Sequence, residues 1–166
     1  MSRKNVRRHH GGSKAKLEES SNQRQVKAKA STVPVHFKNT VETARPLRGM
    51  TVPKANAYLK DVLDHKECVA FHKFNGGIGK CAQAKQFKCV VGRWPDKSVK
   101  VLQDLLRNAI SNCEYFGKDP QDFIIKSIQV NQAPIRHRRT FRAHGRITSY
   151  LRHMSHIQMT LAEKEE

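Results

Sequence analysis

Between Asp122 and Glu163 the chain carries no acidic residue, while Arg136, Arg138, Arg139, Arg142, Arg146 and Arg152 crowd the middle of the interval. A segment charged with one sign cannot supply a packed core, yet both of its ends are patterned like strands. On the returning side Ile157, Met159 and Leu161 alternate with Gln158, Thr160 and Ala162, the period of a half-buried strand. On the outgoing side Ile124, Ile128 and Val130 fall on one face, with Lys126 the exception, and Phe123 and Ile125 lie opposite. About two dozen residues separate the two runs, far more than an ordinary hairpin connection needs. Ile135, Phe141, Ile147, Tyr150 and Leu151 are spread through them. The pattern predicts a projecting β-ribbon over 131–155. Arms of about ten to twelve residues, at ~3.3 Å each, would carry it roughly 30–40 Å beyond the sheet.

An isolated two-stranded ribbon is marginal in water, and one of a single charge also repels itself. Such an arm makes physical sense against an anionic partner. Arginine forks match phosphate oxygens, and interleaved aromatics can stack on bases. The plainer alternative is a solvated, floppy basic loop.

The whole chain repeats the bias, with 32 Lys and Arg against 14 Asp and Glu and a net charge of +18. That excess points to nucleic acid or an anionic membrane surface. No run of 18 or more apolar residues is present, so no membrane span is expected. The first residues, MSRKNVRRHHGGSKAKLEESSNQRQ, lack the apolar centre of a signal peptide, and an intracellular protein is expected. Cys68, Cys81, Cys89 and Cys113 form no Cys-x-x-Cys pair, and His65 and His72 beside Cys68 do not complete zinc-finger spacing. Free thiols are expected, with no metal and no cofactor.

Residues 1–34, basic and poor in apolar side chains, are read as an extension that is disordered when free. Residues 35–166 are read as a single domain. Asn39 followed by Glu42 resembles a capping box, with Thr40 between, opening a helix that runs to about Leu47 and Gly49. A second helix starts near Thr51, with Pro53 in its first turn and Ala55, Tyr58, Leu59, Val62 and Leu63 as core. The insert 67–94 loses periodicity. Its Gly76, Gly77, Gly79 and Lys80 imitate a phosphate loop, but Phe74 stands where that motif needs its first glycine and Cys81 where it needs Ser or Thr. A glycine-bent loop offering Lys80 and Lys85 to phosphates is the better reading. From Asp96, read as the cap of the longest helix, Val101, Leu102, Leu105, Leu106, Ala109, Ile110, Cys113 and Phe116 make a stripe wide enough to pack on a sheet, ended by Gly117 and Pro120. The fold class is therefore α+β, with about three helices on a small antiparallel sheet and one long projecting β-hairpin.

No catalytic constellation emerges. Asp61, Asp64 and Glu67 edge a helix, the serines lack a nucleophile elbow, and no cysteine has a base with an orienting partner. His137, His144, His153 and His156 lie in or beside the ribbon, where stacking or phosphate contact is the natural role.

Taken together, VHFKNTVETARPLRGM, PKANAYLKDV, the insert FNGGIGKCAQAKQF with its closing GRWP, and the blocks QVNQAP, RRTFRAHGRI and SHIQ resemble the L-twenty-two family of large-subunit ribosomal proteins, called L-seventeen in eukaryotes. The resemblance covers about Val35 to Glu165, and the insert is similar to that of the eukaryotic and archaeal branch. It implies an α+β body near the exit of the peptide tunnel and a hairpin threading through ribosomal RNA to the tunnel's constriction. Arg142, Ala143, His144, Gly145 and Arg146 correspond to the hairpin tip. The first thirty residues depart from the usual leader of the family, and the lysine-rich tail of many eukaryotic members has no counterpart up to Glu166.

The expected function is that of a structural constituent of the large subunit, not an enzyme. Its expected partners are large-subunit ribosomal RNA, neighbouring ribosomal proteins and the nascent peptide at the tunnel wall, with no membrane partner and no homo-oligomer. The expected RNA-binding residues are Lys38, Arg45, Arg48, Lys54, Lys80, Lys85, Arg93, Arg136, Arg138, Arg139, Phe141 and Arg152. The expected location is cytoplasmic, with assembly in the nucleolus if the source is eukaryotic. Two rivals follow from the same residues. One is a free architectural or regulatory RNA- or DNA-binding protein, and the other is a cysteine- or metal-dependent nuclease.

Overall fold

The computed structural model of the chain describes residues 25–164. In chain order these are β1 (Gln25–Val33), α1 (Phe37–Ala44), α2 (Val52–Leu63), β2 (Val69–Ala70), β3 (Gly92–Arg93), α3 (Asp96–Tyr115), β4 (Phe123–Phe141) and β5 (Ile147–Glu163). The last two strands, the longest among the described residues, are the arms of one hairpin. The main sheet has the order β1-β5-β4 and is antiparallel throughout, while β2 and β3 pair separately inside the insert. The α+β class with three α-helices is as expected.

Alternation decides which sheet face meets the helices. Val26 and Ala28 of β1 and Ile157, Met159 and Leu161 of β5 are buried, whereas Lys27 and Lys29 lie exposed on the opposite face. Onto the apolar face pack Ala55, Leu59 and Val62 of α2, and Val99, Leu102, Leu105, Leu106, Ala109 and Cys113 of α3. Residue Phe116, counted with that stripe from the sequence, is 62% exposed, because α3 has already ended at Tyr115. Pro95 rather than Asp96 occupies the N-cap position, and Asp96 lies in the first turn.

The outgoing strand corrects the face assignment. Phe123, Ile125 and Ile128 are all buried on the core face, with Val130 packed against them. A register shift between Ile125 and Ser127 leaves Lys126 without a place in the ladder and reverses the parity beyond it. A bulge of this kind puts two residues opposite one, so strict period-two counting across it fails. A second shift, between Ala133 and Arg136, contains Pro134, which has no N–H to give the ladder. There the hairpin leaves the body, since residues 134–153 are exposed throughout. The free arm is therefore shorter than expected: residues 134–141 span roughly 26 Å at ~3.3 Å per residue.

The boundary of the N-terminal extension also moves. Residues 25–33 form β1, paired with β5 from Gln25↔Ala162 to Val33↔Ser155. Their Val26, Ala28 and Ala30 supply enough apolar surface for an edge strand when β5 is there to receive it. The remainder of the expected extension, 1–24, lies outside the described residues.

The capping box is corrected as well. The N-cap of α1 is His36, in extended conformation and without a side-chain cap. Thr40 and Thr43 turn their hydroxyls back to the carbonyls of His36 and Asn39, and Thr40 Oγ1 also meets Ser98 Oγ of α3 at 3.0 Å. Glu42 points away from the helix start. It is fully buried, and its two carboxylate oxygens accept the backbone N–H groups of His72, Lys73 and Phe74 at 3.0–3.2 Å. A carboxylate placed indoors is tolerable only with such partners. Here they pin the start of the insert against α1.

Candidate nucleic-acid interface

Ladder register sorts the distal ribbon into two faces. Directly paired residues share a face, and neighbours along a strand alternate. Arg136↔Arg152, Arg138↔Tyr150 and Thr140↔Thr148 therefore lie on one side, and His137↔Leu151, Arg139↔Ser149 and Phe141↔Ile147 on the other. The first face is basic with one tyrosine. The second mixes Arg139 and His137 with apolar side chains that have no core to enter. Phe141 is 80% exposed and Tyr150 59%.

Between the arms the chain turns through a 3-10 segment, Ala143–Gly145, with His144 at φ 58° and Gly145 at φ 70°. Gly145 bears the left-handed conformation without a Cβ clash. His144 adopts it as well, at a steric cost that glycine avoids. The turn is closed by the Arg142 N–H donating to the Arg146 carbonyl at 2.8 Å, and Thr140 Oγ1 donates to the Thr148 carbonyl at 3.1 Å. These residues do form the hairpin tip.

Ion pairs lie elsewhere. Among the described residues they join Arg45 to Glu42, Lys66 to Asp64, Arg107 to Asp104 and Lys118 to Glu163, and none reaches a ribbon arginine. Like charges placed directly opposite in a ladder destabilise it. Arg136 and Arg152 are placed so, with no carboxylate on either arm of the distal ribbon to compensate.

Of the other expected residues, Arg45 and Arg48 meet in a groove of about 480 Å³ between α1 and β4, lined also by Val41, Gln129 and Val130. Lys38 and Arg93, far apart in sequence, line one cleft together with Lys73 and Phe74. Lys54, Lys80 and Lys85 are exposed but join neither cleft. At the root of the ribbon a larger cleft of about 540 Å³ is walled by His36, Phe37, Ile135, His153 and Met154. The expected RNA-binding residues leave out Lys73 and Phe74, which line the cleft with Lys38 and Arg93, and Tyr150, Lys27 and Lys29, which are exposed. The aromatic-basic run Phe71-His72-Lys73-Phe74 was a usable signal. Lys27 and Lys29 were hidden in a segment not recognised as a strand.

The glycines of the insert border open space, and a Cβ added at Gly76, Gly77 or Gly79 would meet nothing within 4 Å. The one tight position is Gly92, where a Cβ would stand 2.9 Å from Cys68 Sγ and 3.1 Å from the Val69 carbonyl. All four cysteines are free thiols. Burial, and then the neighbouring Cys81, push the Cys68 thiol up to about 12, and burial also raises that of Cys113. Thiols held in the protonated form are poor nucleophiles. The described residues contain no group of three or more His, Cys, Asp or Glu able to hold a metal.

Comparison with known proteins places this geometry among relatives. The family model described as ribosomal protein L22p/L17e matches residues 28–162. The large ribosomal subunit protein uL22 of Carabus granulatus is 53% identical over 139 residues, covering 84% of this chain and 76% of the relative. That of Agriotes lineatus is 54% identical over 139 residues, covering 84% and 74%. The protein of the same name from Theileria annulata is 50% identical over 143 residues, covering 86% and 76%.

Proposed function

The chain belongs to the L22p/L17e family of ribosomal proteins, and from that premise we propose that it binds large-subunit ribosomal RNA through its acid-free ribbon and lends the ribbon tip to the wall of the peptide exit tunnel. Membership makes it a structural constituent of the large ribosomal subunit. The finer reading rests on one observation: the distal ribbon sets Arg136 against Arg152 and exposes Arg138, Arg139, Phe141 and Tyr150, with no carboxylate on either arm. Phosphates would neutralise an arm of that kind and relieve its self-repulsion.

The mechanism is electrostatic and steric. Arg136, Arg138, Arg139 and Arg152 anchor the arms to phosphates, and Phe141 offers an apolar ring to an unstacked base. Around the ribbon root, Lys38, Arg45, Arg48, Lys54, Lys80, Lys85 and Arg93 extend the basic surface over α1, α2 and the insert. Arg142 to Arg146 form the turn that faces the tunnel and the nascent peptide. Neighbouring ribosomal proteins meet the body, and assembly follows the nucleolar-to-cytoplasmic route if the source is eukaryotic.

Tagged protein should co-sediment with the large subunit. Binding to deproteinised large-subunit ribosomal RNA should weaken and lose salt dependence when Arg136, Arg138 and Arg139 are replaced by Ala, the log–log slope falling by roughly 0.7–0.9 per lost phosphate contact. A soluble pool away from ribosomes, together with tight binding to one short duplex, would favour the free architectural binder instead.

A further inference from the structure

We propose that the cleft between α1 and the insert is a preformed receptor for a backbone phosphate of RNA, and that Glu42 is the positioning residue that builds it. The proposal rests on the RNA-binding reading above and assigns one further site within it. Lys38 and Asn39 from α1, Lys73, Phe74, Gly76 and Ile78 from the insert, and Arg93 from β3 enclose about 360 Å³. Lys38 Nζ stands 5.7 Å and Lys73 Nζ 5.6 Å from the centroid of the Phe74 ring, and Phe37 abuts that ring edge-on at 6.1 Å. Ring and ammoniums thus form one assembly, the ring quadrupole holding both cations close to it. No acidic side chain lines the cleft. Three cations gathered here repel one another, the Glu42 carboxylate behind them being taken up by backbone amides, and an anion in the cleft relieves that repulsion. With both ammoniums drawn to Phe74, a phosphate suits the cleft better than a base stacked on the ring. The apolar edge of Phe74 and Ile78 leaves room for the attached sugar.

Nothing in the insert's own sequence would hold Lys73 and Phe74 opposite Lys38. Glu42 does so. Its Oε2 accepts from His72 N, and its Oε1 accepts from both Lys73 N and Phe74 N. The three amides converge on one side chain of α1, the helix that carries Lys38 two residues in from its cap. Arg45 Nε, 3.7 Å from Oε2, adds a partly exposed charge partner on the outer side.

The decisive variant is Glu42→Gln. It replaces one acceptor oxygen by an NH₂ group that faces a backbone donor, and it makes the protein one unit more positive. If attraction to RNA followed net charge alone, E42Q would bind as tightly or more tightly. A positioning role requires the opposite. Filter binding of the full chain to deproteinised large-subunit ribosomal RNA should show E42Q several-fold weaker, with the salt slope reduced by about 0.7–0.9, as for one lost phosphate contact. In a Lys73→Ala/Arg93→Ala background, E42Q should have no further effect. Unchanged or tighter binding by a folded E42Q, or a full additional loss in the double-variant background, overturns the proposal. Should E42Q fail to fold, ultraviolet crosslinking of the unaltered protein to the same RNA decides. A nucleotide adduct on residues 72–80 upholds the receptor. Adducts on the ribbon with none on 72–80 overturn it and leave the RNA-binding reading standing, whereas no adduct anywhere overturns the reading on which it rests.

Discussion

At the scale of single residues, chemistry and position part company most clearly at Glu42. Asn-x-x-Glu at the start of a helix is a capping signal in sequence, and here the same glutamate is spent on three amides thirty residues away. Local spacing could not reveal this, since the partners are backbone groups and carry no sequence signature. Tyr58 and Cys68 show a second residue-scale effect. The Tyr58 hydroxyl donates to the Cys68 carbonyl at 3.4 Å. Burial raises the Tyr58 phenol well above its ordinary value, and burial with Cys81 raises Cys68 to about 12. Acids whose folded values are raised contribute stability that is intact below their unfolded values, 9.0 for the thiol and 10.0 for the phenol. That contribution is lost as pH climbs toward the folded values. Urea midpoints of the RNA-free protein should therefore be level between about pH 7 and 8.5 and fall beyond about pH 9. Tyr58→Phe and Cys68→Ala should each flatten the alkaline decline. A midpoint as sensitive in both variants as in the parent would show that other groups carry the effect.

Elements were legible where a periodicity ran unbroken. The stripe of α3 as far as Cys113, the start of α2 at Thr51 with Pro53 inside it, and the alternation of β5 all stand where the sequence put them. Where they failed, a local irregularity or a distant partner was responsible. The bulge at Lys126 reversed the parity of β4, and β1 looked like a tail because its apolar residues are few and its partner lies at the other end of the chain. In the ribbon, sequence disclosed the arginines and the tip but not the two faces, which depend on ladder register. Leu105, 3% exposed within the α3 stripe, supplies a test of the element. Leu105→Ala should cost ~2–5 kcal/mol, a large share of a small domain's stability. Denaturant titration should show the loss, and incorporation into subunits should drop with it. Wild-type stability would mean that α3 presents a different face to the sheet.

For the molecule as a whole, the body is held by a shared core while the distal ribbon has only itself. Local opening should follow that division. Among the described residues, limited trypsin digestion without RNA should cut first within Arg138–Arg146, whereas Lys27 and Lys29, both paired with β5, should resist until the body opens. Early cleavage at Lys27 would contradict the pairing. Deleting Arg142–Arg146 should leave subunit yield nearly normal and alter translation of a tunnel-sensitive stalling peptide. Collapsed assembly with unchanged stalling would make the tip an assembly anchor rather than a wall. The strand order carries a consequence in time. The central strand of the sheet, β5, is the last element in sequence, and it alone joins β1 to β4. A growing polypeptide thus holds β1 without its partner until β5 has been synthesised, and Gln25 must wait for Ala162. Contacts of such long sequence separation are slow to form, and until they do the nascent body exposes apolar surface and an unpaired strand edge. A newborn copy of this protein therefore keeps that surface uncovered until β5 has been made and can pair with β1.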